Sequence, residues 1–144
     1  MRFEDYNYPD ELFYDKHHFW GRVEGDVVTM GFTSFAVDSA GEIVYVESPN
    51  PGKKIIREKP FMSVESGKWV GRVYALVSGE ILEVNEELEF EPNLINDDCY
   101  GAGWMVKIKM SDPADLEQLL RGEAYMSWLE KEIARQRKLA ELGG

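Results

Sequence analysis

Val64-Glu65-Ser66-Gly67-Lys68-Trp69-Val70-Gly71-Arg72-Val73-Tyr74-Ala75-Leu76-Val77-Ser78-Gly79-Glu80 is the stretch around which the chain is organised. Met62 and Val64 on one side, and Val70, Val73, Ala75 and Val77 on the other, read as two β-strands. Ser66-Gly67 has turn composition, which puts Lys68 at or near the tip of a hairpin. A side chain at a tip is open to another protein while its backbone stays fixed. On pattern alone, an exposed lysine there is a solubilising charge.

Upstream of that hairpin, Arg22 to Thr33 reads as another, turning at Gly25-Asp26. Ser34 to Ala40 reads as a short helix capped by Ser34, with Phe35, Ala36 and Ala40 as its apolar side and Gly41 as its stop. Glu42 to Val46 and Lys53 to Glu58 read as strands on either side of the turn Ser48-Pro49-Asn50-Pro51-Gly52. Gly41-Glu42-Ile43-Val44-Tyr45-Val46-Glu47 is echoed by Gly79-Glu80-Ile81-Leu82-Glu83-Val84-Asn85, which suggests two small sheets related by an approximate two-fold. The first eight residues form an acidic and aromatic lead that packs back on the domain or hangs loose.

Downstream, the five Glu between Glu83 and Glu91 read as a solvated face. Asn93 to Gly103 has loop composition, and Trp104 to Met110 alternates with Trp104, Val106, Ile108 and Met110 on one face. The period then changes. Asp112 caps a helix with Pro113 at its first position and Leu116, Leu119 and Leu120 as its stripe, ending at Gly122. A second helix carries Tyr125, Leu129, Ile133 and Ala140, so 112–142 is read as C-terminal helices. Its end, Arg135-Gln136-Arg137-Lys138, is basic and suits a helix C-terminus.

With 144 residues, the chain has room for one domain and a substantial core. A net charge of −11 excludes a nucleic-acid surface and suits docking on basic partners. One cysteine, Cys99, allows no intrachain disulfide and points to a reducing, cytoplasmic setting. No leader and no run of eighteen apolar residues occurs, so no membrane role is expected. His17 and His18 are neighbours, and adjacent strand residues face opposite ways; with no further His or Cys to complete a set, no metal site is expected. No triad, paired carboxylate or phosphate loop suggests catalysis.

Glu65-Ser66-Gly67-Lys68, followed by Tyr74-Ala75-Leu76-Val77-Ser78-Gly79-Glu80-Ile81, resembles the lipoylation site of glycine cleavage system H proteins. Tyr14-Asp15-Lys16-His17-His18-Phe19-Trp20, Gly31-Phe32-Thr33, Gly41 to Gly52, Leu94-Ile95-Asn96 and Tyr100 to Trp104 are similar to further motifs of that family, in the same order. The resemblance runs from about Pro9 to about Leu129.

It implies a mainly β fold: a flattened lipoyl/biotinyl-carrier barrel-sandwich of two small sheets with C-terminal α-helices. It also implies a carrier rather than an enzyme, with lipoic acid joined by an amide to Lys68. Glu65, Ser66, Gly67 and Gly79 would form the ligase-recognition and arm environment. The implied partners are a lipoate ligase or lipoyltransferase, glycine decarboxylase, aminomethyltransferase and lipoamide dehydrogenase, with an aminomethyl group as cargo. Biotin is disfavoured, because biotin sites carry Met on both sides of the lysine and here Gly67 and Trp69 stand there.

Three positions depart from the family pattern. His17, Phe19 and Arg72 stand where H proteins typically carry a small polar residue, Glu and Asp. With His18 they would line the cargo pocket, and Arg72 with a protonated His17 would favour an anion over an ammonium. Plain drift, with Phe19 in the core and Arg72 in solvent, is the alternative account. Trp69-Val70-Gly71 also replaces the family's small residues and is similar to H-like lipoate-binding proteins of sulfur oxidation. That resemblance would substitute heterodisulfide-reductase-like subunits as partners and an oxidised sulfur species as cargo. An unmodified protein-binding module is a third reading.

Overall fold

The computed structural model describes residues 1–143. Two antiparallel sheets face each other. The larger has six strands in the order β3(Phe13–Tyr14), β4(Phe19–Glu24), β5(Val27–Phe32), β11(Val106–Met110), β10(Gly79–Val84), β7(Lys54–Ile55). The smaller has three, β6(Ile43–Glu47), β8(Pro60–Ser66) and β9(Val70–Tyr74), with β8 central. The sheets are therefore unequal rather than two matched small ones, because the hairpin β4–β5 and the short β3 widen only one of them. The sequence echo falls one copy in each sheet, on β6 and β10.

The core lies between the sheets. Val28, Met30, Ile81, Val106 and Ile108 come from the larger sheet, and Ile43, Val46, Met62, Val64 and Val73 from the smaller. In β9 and β11 these alternate with more exposed residues, as a half-buried sheet requires, whereas in β6 an irregularity between Ile43 and Tyr45 puts Val44 and Tyr45 outside together. Gly79 opens β10, where a Cβ would run into the backbone carbonyl of Lys109. Close strand pairing thus supplies a packing reason for that glycine.

A second core sits under α4(Gly122–Gly143). Tyr8, Leu12, Tyr14, Trp20, Tyr125, Leu129 and Ile133 are all at most 1 % exposed. Tyr14 and Tyr125 stack at 4.2 Å, and Trp20 donates its indole N–H to the Cys99 carbonyl at 2.9 Å. Trp20 lies over Gly31, where a Cβ would come within 2.8 Å of the ring. The lead is not loose: β1(Arg2–Phe3) and β2(Tyr6–Asn7) form a hairpin, Tyr8 is buried in this cluster, and Arg137 of α4 grips Glu4.

Several expectations need correction. The helix α1(Ser34–Ala40) is capped by Thr33, whose hydroxyl accepts from the Ala36 amide at 3.4 Å. Ser34 instead donates to the Asn7 carbonyl, because Thr33 is the residue with extended backbone. Of Lys53 to Glu58, only Lys54–Ile55 pairs as a strand; Ile55 is buried against Gly79 in register.

The segment 93–103 is not all loop, since α3(Leu94–Asp97) buries Ile95. The helix after Asp112 is a 3-10 turn, Pro113–Gln118, whose Asp115 accepts from the Ser78 amide at 2.8 Å. Trp104 falls out of the alternation: Met105 is buried in its stead, and Trp104 lies half-buried under the Lys107 ammonium. Ala140 is exposed, because α4 outruns the sheet beneath it after Ile133.

Candidate functional site

Lys68 occupies a two-residue turn, Gly67-Lys68, joining β8 to β9. The Ser66 amide donates to the Trp69 carbonyl at 2.8 Å and closes it. Ser66 is buried, and its hydroxyl accepts from the Lys68 amide at 3.3 Å. That hydroxyl fixes the backbone at the lysine while the side chain stays exposed. Gly67 has no left-handed φ, and nothing lies within 4 Å of a Cβ built on it. Its contribution is therefore open space beside the lysine, not a special backbone. Among the described residues Lys68 has no ion-pair partner. Glu65 is half-buried on β8, paired with Tyr45 on one side and Val70 on the other.

Next to the turn lies a cleft of about 280 Å³. His17, His18, Phe19 and Arg72 all line it, although they come from a turn, β4 and β9. His17 stacks on Tyr74 with ring centres 4.5 Å apart. His18 is turned the other way, tilted against Phe35 at 5.0 Å and Trp128 at 5.7 Å. The two histidines sit in a turn, not on a strand, and His18 has a left-handed φ of 69°. Burial pushes the His18 imidazole below its ordinary pKa, and its Nδ1 is buried without a partner. Phe19 is 2 % exposed and packs on Phe32, so it serves the core and the cleft together. Arg72 is exposed at the rim.

Other residues of the cleft lining were not legible as such in the sequence. Trp69, Tyr74 and Phe35 supply aromatic wall, and Gln136 reaches in from α4. Their separation in sequence hides them, although alternation along β9 puts Arg72 and Tyr74 on one face.

Asp15 was also missed. Its Oδ1 accepts from the amides of His17 and Phe19, each at 3.0 Å, and so shapes the turn that presents both histidines. An Asp at the head of a turn was the available signal. Burial raises the Asp15 carboxyl to about 7, with the two amide bonds opposing, and Oδ2 has no partner. A raised folded-state pKa means stability that is complete below about 3.8 and lost as pH climbs through about 7. Asp15→Asn keeps the acceptor and removes this dependence. Its stability relative to wild type should therefore improve by about 2 kcal/mol between pH 5 and pH 8, read from urea midpoints at both. A flat difference would place the proton elsewhere.

The Cys99 thiol is buried and pushed up to about 11 by that burial, which leaves it unsuited as a nucleophile.

Residues 12–132 match the sequence profile of the glycine cleavage H-protein family. The chain is 45% identical over 119 residues to a glycine cleavage system H protein of Symbiobacterium thermophilum, covering 83% of this chain and 93% of that protein. It is 41% identical over 139 residues to glycine cleavage system H protein 4 of Aquifex aeolicus, covering 96% of this chain and 81% of that one. A crystal structure of an H protein from Mycobacterium marinum superposes with a TM-score of 0.77 at 31% identity, covering 85% of this chain and 99% of that one. Sequence and architecture agree over most of the chain, and the chain belongs to the glycine cleavage H-protein family.

Proposed function

We propose that this H protein, a carrier and not an enzyme, bears its lipoyl group on Lys68 and uses the adjoining cleft to shelter the loaded arm. The observation that carries the reading is the Lys68 turn: an exposed, unpaired amine on a backbone locked by Ser66, beside open space at Gly67. A ligase needs the amine accessible and the turn rigid, and both are present. The Gly67 gap and the half-buried Glu65 are the features such a ligase would read; Gly79 acts through strand packing.

When attached, the lipoyl group supplies a disulfide that accepts a one-carbon or sulfur cargo, and its long apolar stem suits an aromatic-walled groove. Amide formation also removes the lysine charge, so the stem can approach Phe35, Trp69 and Tyr74 without burying an ammonium. Decarboxylase, aminomethyltransferase and lipoamide dehydrogenase are the partners in this reading. The net charge of −11 speeds encounter with basic docking faces.

A second reading concerns cargo. Among the described residues no carboxylate lines the cleft, while Arg72 stands at its rim with His17 beside it. That lining favours an anionic cargo, such as an oxidised sulfur species delivered to reductase-like subunits, over a cationic aminomethyl amine. Intact mass with peptide mapping, on protein from its own source, tests both readings. One lipoyl increment on Lys68 is expected, and an aminomethyl or a sulfur adduct on it decides the cargo. Unmodified Lys68, in a host that lipoylates its other carriers, would leave a binding module.

A further inference from the structure

Trp69 and Gly71 form a pair that carriage alone does not require. The six-membered ring of Trp69 lies so close over Gly71 that a Cβ there would overlap the ring's Cη2, Cζ2 and Cζ3 atoms. Glycine inside a strand weakens it, and it is found where another group must approach the backbone. Here the approaching group is an indole that remains 43 % exposed and lines the cleft. More than half of the indole is covered, and the seat on Gly71 is where part of that cover is made. Lys68 immediately precedes Trp69, so the cleft wall begins where an arm on Lys68 would leave the backbone.

We propose that Trp69, seated on Gly71, is the wall of the cleft that positions the arm. It takes the apolar stem of the arm against its face and keeps the arm's end out of water. The inference rests on Lys68 as the attachment residue. It makes Gly71 a positioning residue acting through Trp69, since Gly71→Ala leaves no room for the ring where it now lies.

Fluorine NMR of the full chain labelled with 5-fluorotryptophan tests this, since only Trp20, Trp69, Trp104 and Trp128 report. Trp69→Phe assigns the Trp69 signal. Lipoylation by a lipoate ligase, verified by mass on Lys68, should shift the Trp69 resonance far more than the other three. In Gly71→Ala that resonance should already be displaced before lipoylation and respond weakly to it. Reduction of the lipoyl disulfide by a water-soluble phosphine should run severalfold faster in Gly71→Ala and Trp69→Ala than in wild type. Val70→Ala, at an exposed neighbour, should leave the rate unchanged. Should Gly71→Ala fail to fold, Trp69→Ala and Trp69→Phe, which keep the glycine, carry the test. Full lipoylation at Lys68 with an unmoved Trp69 signal and wild-type reduction rates overturns the wall alone. A lipoyl group at any other residue overturns the attachment reading and the wall with it.

Discussion

Lys68→Ala should lose lipoylation completely and reduce cargo transfer in a reconstituted carrier assay to background, while the domain unfolds at its wild-type urea midpoint. The two halves of that expectation have separate causes. An amide to the arm would have no other donor at the turn, because Lys68 is the one amine on the two-residue tip. Stability is untouched because the side chain is exposed and unpaired, and such substitutions usually stay within about 0.5 kcal/mol. The bonds that close the turn run through the backbone and the Ser66 hydroxyl, and alanine keeps them. Lys68→Arg sharpens the result: it retains the charge but offers no amine for the amide, so it should be as inactive as alanine. Lipoylation that survives in both variants, or a large fall in the midpoint, would place the arm elsewhere or give Lys68 a structural role.

Trp20→Ala should be among the most destabilising single changes in the chain, at about 4 kcal/mol, within the range for deleting a buried Trp or Phe side chain. Trp20 is fully buried, sits on Gly31 in the neighbouring strand, and satisfies the Cys99 carbonyl. Removing it opens a cavity between the larger sheet and α4 and orphans that carbonyl. For a domain of this size the melting temperature should fall by roughly 10 °C or more. Trp20→Phe separates the two contributions. It keeps most of the ring but not the N–H, and should cost about 1–3 kcal/mol, the penalty for an unsatisfied buried acceptor. Since Phe19 adjoins Trp20 in β4 and lines the cleft, lipoylated Trp20→Ala should also expose its arm more readily to solvent reductants. A loss below about 1 kcal/mol in Trp20→Ala would mean that the second core is held mainly by Tyr14 and Tyr125.

The strands were legible because apolar alternation and turn residues coincide in them. Gly25 and Asp26 close β4–β5, and Val70 and Val73 follow the lysine turn on opposite faces of β9. The Lys68 turn was legible for the same reason, being local: Ser66, Gly67 and Lys68 are consecutive. The end of α4 was misread because helical spacing continues to Ala140 while the surface that could bury it stops near Ile133. Periodicity reports a face, but it does not report what lies opposite.

By itself, the sequence determined the hairpins, the exposed lysine and the motif order that marks the family, all of which depend on residues close together in the chain. Only the tertiary structure decided the cleft. His17 against Tyr74 and Phe19 against Phe32 join separate segments through sheet register and turn geometry. The pKa shifts of Asp15 and His18 likewise arise there, because both move with burial, and burial is a property of the packed chain.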